Sequence, residues 1–346
     1  MTDLEQALAH HQAGRLEEAE ELYQAILARE PTNADALHLL GVIAHQRGAH
    51  ERAVEQIRQA LCVDSKAPEY YNNLGEALRA LGRADDAIAA YTQAIALRAD
   101  YAEAHSNLGL AFQAQGKLTE ATRAFQEALA LQPDFETYYH LGNALSDRGE
   151  RADAVSAYEQ AVARAPAFFE AYNNLGEVLE QQGQLPEAIA AYRRAIALRP
   201  DDVDALNNLG LLLEQQNEFD EAVSTYRRAL ALEPDLAELH YNLGNALAAQ
   251  GAMIEAIAAH RQALSLKPDF VEVHYNLGNV LRGIGALKEA ADAYRQALAR
   301  QPDYTKAHSN LIHSLNYRDD VAPEGLFTEH RHWAAQHAER FASTVR

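Results

Sequence analysis

The sequence has 346 residues, 48% of them hydrophobic, and a formal net charge of −20 at pH 7. This acidic excess disfavours nucleic acid and anionic membrane surfaces as partners, because Lys and Arg bind both of them. The single cysteine, Cys62, excludes an intrachain disulfide, which fits a reducing compartment, and we expect this small residue to be buried.

The first residues contain no basic segment followed by an apolar run, the pattern of a signal peptide. No apolar stretch approaches the about 20 residues that a membrane-spanning helix needs. The sequence therefore predicts a cytoplasmic protein.

A three-residue motif, Asn-Leu-Gly, recurs along the chain at a step of 34 residues. One step is 67 residues long, and His140-Leu141-Gly142 stands in the middle of it. A fixed period of this size predicts an array of structural repeats. The motif begins at Asn73, Asn107, Asn174, Asn208, Asn242 and Asn276.

Each repeat is predicted to be two helices joined by a short turn. In residues 102–134, apolar residues follow helical spacing in both halves, Gly116 ends the first half and Pro133 ends the second. Glycine suits the first ending because it adopts a left-handed backbone without a side-chain clash. One repeat has Asn217 there, and asparagine is the next most tolerant residue. Asp235 and Asp269 are expected to cap the helices that follow them.

Positions are counted here from the first residue of each repeat. Leu-Gly falls at positions 7 and 8, Gly at 15, Ala at 20, an aromatic residue near 24 and Pro at 32. This pattern resembles the tetratricopeptide repeat, which implies an all-α, right-handed superhelical solenoid whose first helices line a concave groove. The resemblance covers nine repeats, 1–33, 34–67, 68–101, 102–134, 135–168, 169–202, 203–236, 237–270 and 271–304, followed by an incomplete tenth repeat and a terminal helix over 305–346.

The terminal helix is predicted to begin at Pro323. A stripe at helical spacing follows, formed by Leu326, His330, Trp333, His337 and Phe341. This helix is expected either to cap the end of the array or to offer a docking surface.

Position 6 is the candidate binding site, because it falls on a polar stripe of the first helix. An asparagine side chain offers one acceptor and two donors, and therefore matches a peptide backbone. Alternatively, these side chains hydrogen-bond their own neighbouring helices. We call the position-6 residues the asparagine ladder: Asn73, Asn107, Asn174, Asn208, Asn242, Asn276 and Asn310.

Two further positions share the polar stripe and form a predicted secondary groove. Acidic residues at position 2 would complement the helix dipole, or would select basic or hydroxyl-bearing peptides. Asparagines recur at position 9. The secondary groove comprises Glu170, Asp204, Glu238, Glu272, Asn143, Asn245 and Asn279.

Metal binding and catalysis are not supported by the sequence. Histidines recur at position 4, namely His105, His240, His274 and His308, where packing is the favoured interpretation. Helices of neighbouring repeats lie about 8–10 Å apart, too far for these residues to share one zinc ion. The chain contains no glycine-rich phosphate loop and no nucleophile elbow. We therefore expect no catalytic residue, metal or cofactor in this chain, and a protein or extended peptide as its partner.

A second resemblance concerns the terminal segments NLIHSLNY, starting at Asn310, and PEGLFTEHRHWAAQHAERF, starting at Pro323. They resemble the joint between repeats and catalytic half in bacterial proteins similar to O-linked N-acetylglucosamine transferase, the SPINDLY-like group. LHLLGVIAHQRG, starting at Leu37, resembles the start of those arrays. The resemblance implies that the asparagine ladder holds substrate polypeptide for transfer of N-acetylglucosamine from a UDP sugar to Ser or Thr.

This chain departs from that family in four ways. His140 interrupts the ladder, the first two repeats lack it, and the acidic residues at position 2 are mainly Glu. The sequence also stops at Arg346, about where a catalytic half would begin. The competing hypothesis is a free-standing scaffold that assembles proteins. A clamp for carboxylate tails is disfavoured, because it would need Lys and Arg where this chain has acids and amides.

Overall fold

The computed structural model describes residues 2–338, and every regular element among them is helical. No helix in this range is both long and apolar enough to cross a membrane. The helices are α1 Asp3–Gln12, α2 Leu16–Arg29, α3 Ala34–Gln46, α4 His50–Val63, α5 Pro68–Ala80, α6 Ala84–Leu97, α7 Ala102–Ala114, α8 Leu118–Leu131, α9 Phe135–Asp147, α10 Arg151–Arg164, α11 Phe169–Gln181, α12 Leu185–Leu198, α13 Val203–Gln215, α14 Phe219–Leu232, α15 Ala237–Gln250, α16 Met253–Leu266, α17 Val271–Gly283, α18 Leu287–Arg300, α19 Thr305–Asn316, α20 Pro323–Trp333 and a π-helical turn Ala334–Ala338.

The turn inside each helix pair depends on a left-handed residue at position 15. Gly116 has φ +70° and Gly251 has φ +90°. Asn217 is the one non-glycine residue with positive φ in the described chain, at 60°. The predicted use of asparagine at this position is confirmed.

The two helices of a pair meet where position 8 faces the ring at position 24. A Cβ atom on Gly75 would lie 2.5 Å from the ring of Tyr91, and one on Gly278 would lie 2.6 Å from Tyr294. Only glycine permits so close an approach. Position 20 supports the same contact, since Ala87 and Ala290 have no exposed surface.

The chain forms two compact units, Met1–Gln182 and Gly183–Arg346. In the first unit, helix pairs from α1–α2 to α9–α10 pack in chain order, followed by α11. In the second unit, α12 is followed by pairs from α13–α14 to α19–α20. Within each unit, first helices of successive repeats contact one another, as α7 and α9 do in the first and α15 and α17 in the second. The first helices therefore line a common face within each unit.

The terminal helix α20 packs on α19. Trp333 Nε1 donates a hydrogen bond to Ser309 Oγ at 3.1 Å, and the rings of His337 and His308 are hydrogen-bonded at 3.1 Å. His330 is exposed, so the predicted stripe is only partly buried. Phe341, its last member, lies outside the described residues. Capping of the array by this helix stays a prediction, as do the repeat boundaries.

Two local expectations are wrong. Cys62 is exposed in the last turn of α4 and is not among the buried residues of that helix. Asp235 and Asp269 are not N-caps, because each helix begins one residue later than the capping pattern requires: Leu236 and Phe270 occupy the caps.

Candidate functional site

The asparagine ladder lies at the seam between successive first helices. Each of its seven side chains is half-buried. The hydrogen bonds of these side chains have a common pattern within each unit: the amide donates towards the preceding repeat.

In the first unit, the partners lie at position 5 of the preceding repeat, 35 residues earlier. Asn107 Nδ2 donates to Asn72 Oδ1 at 3.2 Å, and Asn174 Nδ2 donates to Tyr139 Oη at 3.3 Å. Asn73 Nδ2 lies 2.8 Å from His38 Nε2. Sequence reasoning missed these partners. The polar character of position 5 was the available signal, but its relation to the ladder appears only when repeats are stacked.

The second unit repeats this arrangement. Asn242 Nδ2 donates to Asn207 Oδ1 at 2.9 Å. Asn276 and Asn310 donate to the hydroxyl groups of Tyr241 and Tyr275, at 3.3 and 3.5 Å. The remaining ladder residue of this unit, Asn208, donates to Tyr192 Oη at 3.5 Å.

Position 9 supplies a second acceptor for the same amides. Asn174 donates to Asn143 Oδ1 at 3.0 Å, Asn276 to Asn245 Oδ1 at 2.9 Å, and Asn310 to Asn279 Oδ1 at 2.9 Å. The three asparagines of the predicted secondary groove therefore orient the ladder.

Two tyrosines at position 24 share these acceptors. Tyr158 Oη donates to Asn143 Oδ1 at 2.7 Å, and Tyr294 Oη donates to Asn279 Oδ1 at 2.9 Å. Each relation spans 15 residues within one repeat. The core ring of a repeat is thus linked, through position 9, to the ladder residue of the next.

These contacts agree with the alternative in which the ladder serves the array itself. They use the N–H groups of the amide. None of the hydrogen bonds found among residues 2–338 uses the Oδ1 atom of Asn242, Asn276 or Asn310. At these three residues the amide is therefore held through its N–H group alone. Asn73 differs, because its Oδ1 atom accepts a hydrogen bond from Asn72 Nδ2 at 3.5 Å.

The acidic residues of the secondary groove lie at helix starts. Glu170, Asp204, Glu238 and Glu272 all stand in the first turn of their helices, where a carboxylate complements the helix dipole. Asp204 and Glu238 also line a cavity of about 320 Å³ together with Lys267. Among the described residues, neither Asp204 nor Glu238 makes a direct hydrogen bond to an asparagine of the ladder.

The ladder is interrupted at His140. This ring is half-buried and lies 6.0 Å from the ring of Phe125, with the two planes nearly parallel. Burial lowers the pKa of His140 below its ordinary value, so the neutral imidazole is favoured. His140 therefore fills the position by packing.

The position-4 histidines have a structural role, as the packing interpretation predicted. The Nε2 atoms of His105, His240 and His274 lie 3.0, 2.8 and 3.0 Å from a backbone carbonyl six residues earlier, which neutral imidazole can satisfy as a donor. Residues 2–338 contain no group of three or more potential metal ligands in suitable positions.

Family models match most of this chain. A model described as "Cilia and flagella-associated protein 70 C-terminal domain", which is built of tetratricopeptide repeats, matches residues 98–311. "TPR repeat" matches residues 75–116, and "Tetratricopeptide repeat" matches residues 4–71. The chain belongs to the tetratricopeptide repeat family. The longest match places residues 98–311 in the family of the cilia and flagella-associated protein 70 C-terminal domain.

Solved structures that are similar to this chain include a TPR repeat-containing protein. The C-terminal part of a repeat-containing protein from Cytophaga hutchinsonii is 19% identical, covers 68% of this chain and 98% of its own, and superposes with a TM-score of 0.59. The pilF structure from Pseudomonas aeruginosa is 21% identical, with coverages of 61% and 96% and a TM-score of 0.52. MamA is 30% identical over 46% of this chain and 95% of its own, with a TM-score of 0.45. Among curated proteins, none matches the chain.

The all-α fold class of stacked tetratricopeptide helix pairs is thereby confirmed. The asparagine ladder as a polypeptide site, and the secondary groove, stay predictions.

Proposed function

We propose that this tetratricopeptide repeat array binds extended polypeptide along the first helices, with the carbonyl oxygens of the asparagine ladder accepting hydrogen bonds from peptide N–H groups. One observation carries the proposal: the ladder amides are oriented by the preceding repeat through their N–H groups, while the Oδ1 atoms of Asn242, Asn276 and Asn310 have no partner among the described residues. An oriented acceptor in successive repeats suits a backbone, which repeats its own donors.

Energetics favour binding across several repeats. A net hydrogen bond contributes only about 0.5–1.5 kcal/mol, so one ladder residue holds little. The second unit offers four consecutive ladder residues, Asn208, Asn242, Asn276 and Asn310, whereas His140 interrupts the ladder of the first. We therefore expect the second unit to contribute more of the main-chain contacts.

In this proposal the secondary groove has two roles. Asn143, Asn245 and Asn279 position the ladder amides, because they accept hydrogen bonds from them. The first-turn acids Glu170, Asp204, Glu238 and Glu272 favour peptides that carry basic or hydroxyl-bearing side chains.

The test separates the ligand-facing oxygen from the structural N–H group. Peptides of about 12 residues, long enough to follow three repeats at about 3.3 Å per residue, are selected from a random display library against the whole chain. Their affinities are then measured by fluorescence anisotropy for Asn276→Ala/Asn310→Ala. The matched control, Tyr241→Phe/Tyr275→Phe, removes hydrogen bonds of the same two amides but leaves their carbonyl oxygens in place.

The proposal expects the asparagine variant to lose at least about fivefold in affinity, since two hydrogen bonds are removed. The tyrosine control should bind as the parent does. Thermal unfolding of both variants measures how much of any loss is structural. Equal losses in the two variants, or none in either, would exclude a ligand role for the ladder.

We further propose that the array is the substrate-binding arm of a cytoplasmic protein similar to O-linked N-acetylglucosamine transferase. The support is the resemblance of residues 310–317 and 323–341, together with the asparagine ladder. A free-standing scaffold is the second candidate, favoured by the use of the ladder amides within the array itself. Sequencing the source gene beyond the codon for Arg346 decides between them: an open frame with nucleotide-sugar-binding lobes supports the arm, and a stop codon supports the scaffold.

A further inference from the structure

The terminal helix α20 and the π-helical turn after it are held on the array with little apolar burial. None of the side chains of α20 is buried, and His337 is the one buried residue in the described stretch 316–337. Its side chain is 8% exposed and lies against His308 of α19, which is 4% exposed. The residue that anchors the terminal segment is therefore a titratable one.

The two imidazole rings belong to a chain of polar contacts. His337 Nε2 lies 3.1 Å from His308 Nδ1, and the Nδ1 atom of His337 lies 3.2 Å from Thr305 Oγ1. On the other side, His308 Nε2 lies 3.6 Å from a carboxylate oxygen of Glu329. The two facing nitrogens form a hydrogen bond only if one donates and the other accepts. A protonated imidazole has donors at both nitrogens, so the contact tolerates one charged ring but not two.

His308 differs in this contact from the other histidines at position 4. The Nε2 atoms of His105, His240 and His274 lie beside the backbone carbonyl six residues earlier. The contacts of His308 are instead with a second histidine and a carboxylate. The histidine pair is therefore a feature of the terminal segment and not of the repeat.

Two groups on α20 act on this pair. The carboxylate of Glu329 favours a charged His308, whereas His332 opposes it. Burial has the largest effect, and together with the neighbouring His337 it lowers the pKa of His308 below its ordinary value. Proton binding by His308 is therefore unfavourable while α20 is attached.

The remaining charged and titratable groups do not relieve a second positive charge. α17 and α18 also contact α19. In α18, Arg300 of the last turn is hydrogen-bonded within its own helix, and in α17, His274 is bonded to a backbone carbonyl. Lys306 of α19 and the other basic residues of α20, His330 and Arg331, are exposed. All of these groups are cationic or become so in acid, and would add to the repulsion.

We infer that the His308–His337 contact is an acid-sensitive attachment, which holds α20 on α19 near neutral pH and releases it once both rings are protonated. After release His308 is open to water and binds a proton at its ordinary pKa of about 6.5, whereas burial opposes this in the attached state. Attachment is therefore strongest above about pH 6.5 and weakens as the pH falls below that value.

Release would change the surface at the end of the array. Trp333 donates its hydrogen bond to Ser309, which stands at position 5 of the tenth repeat. At this position in the two preceding repeats, Tyr241 and Tyr275 accept hydrogen bonds from the ladder amide of the next repeat. Release of α20 would thus uncover position 5 of the last first helix. The inference is independent of peptide binding by the ladder.

The test is hydrogen–deuterium exchange of the full chain, read by mass spectrometry for peptides from residues 323–338 and, as an internal reference, from α17. Protection factors, which correct for the pH dependence of chemical exchange, are compared at about pH 7.5 and about pH 5. The emission of Trp333, the only tryptophan in the chain, is recorded over the same interval. His337→Gln cannot gain the second charge. The control, His332→Gln, removes an exposed histidine of α20 and leaves the pair intact.

In the parent, protection of residues 323–338 should fall at least about fivefold at the lower pH, while α17 stays protected. His332→Gln should still show this fall, and His337→Gln should not. Unchanged protection of 323–338, a fall shared equally by α17, or the parent's response in His337→Gln would overturn the inference. A change in Trp333 emission without faster exchange would mean that protonation leaves α20 attached, and would overturn it as well.

Discussion

The side-chain amide of Asn310 donates a hydrogen bond to Oδ1 of Asn279 at 2.9 Å, 31 residues earlier in the chain. The same oxygen accepts from Tyr294 at 2.9 Å. One asparagine therefore joins the core of its own repeat to the ladder of the next. The N–H groups of the ladder amides take part in the fold, whereas the Oδ1 atoms of Asn242, Asn276 and Asn310 have no partner among the described residues.

His260 is the position where this network is incomplete. It lies 15 residues after Asn245, is fully buried, and neither ring nitrogen has a partner among the described residues. We predict that His260→Tyr raises the free energy of unfolding by about 1–2 kcal/mol, because its hydroxyl would reach Asn245 and no unpaired N–H would remain. Urea unfolding measures the change. His260→Phe is the control and should gain less; a tyrosine variant no more stable than this control would contradict the prediction.

Acid should destabilise the array through two buried histidines. Burial lowers the pKa of both His38 and His260 from 6.5 to about 4. Below about pH 6.5 these two histidines bind protons in the unfolded chain but stay neutral in the folded chain. The free energy of unfolding therefore falls as the pH falls from about 6.5 to about 4.

Each histidine should account for roughly 2 kcal/mol of that loss. The measurement is the free energy of unfolding at about pH 7 and about pH 4.5 for the parent and for His260→Phe. The variant should lose less stability than the parent over this interval. Equal losses would mean that His260 does not titrate in this way.

Two glycines in α17 should respond oppositely to alanine. At Gly278 the added Cβ would lie 2.6 Å from the buried ring of Tyr294, and we expect a loss of about 1–3 kcal/mol. At Gly283 nothing lies within 4 Å of the added atom, so Gly283→Ala should gain up to about 1 kcal/mol from helix propensity. Thermal unfolding of both variants checks the pair; a similar shift in both would show that the close approach at Gly278 does not limit the packing.

The sequence predicts the helix pairs well, because their determinants are local. Position 15, which holds glycine or Asn217, determines the turn inside each helix pair. The small residues at positions 8 and 20 allow the facing helix of the same pair to approach closely. The partners of the ladder were not predictable in this way. Asn276 hydrogen-bonds Tyr241 and Asn245 only because one repeat stacks on another. The sequence of a single repeat does not predict the geometry of that stacking.

The expectations that failed also concern boundaries and surfaces. The capping pattern at Asp235 was displaced by one residue, since Leu236 occupies the cap of α15. Cysteine is a residue type that is often buried, but Cys62 is exposed in the last turn of α4. The polar cavity lined by Glu76, Asp134 and Glu136 was not predicted, because Glu76 comes from a different repeat than the other two residues.

The central claim is that the ladder oxygen accepts from a peptide N–H group. The most direct measurement is a double-mutant cycle between Asn276→Ala and amide-to-ester replacements made one at a time along a selected peptide, since an ester lacks the N–H donor. We predict a coupling energy of about 0.5–1.5 kcal/mol at one ester position, with Tyr241→Phe showing no coupling at that position. Coupling of zero at every ester position would contradict it.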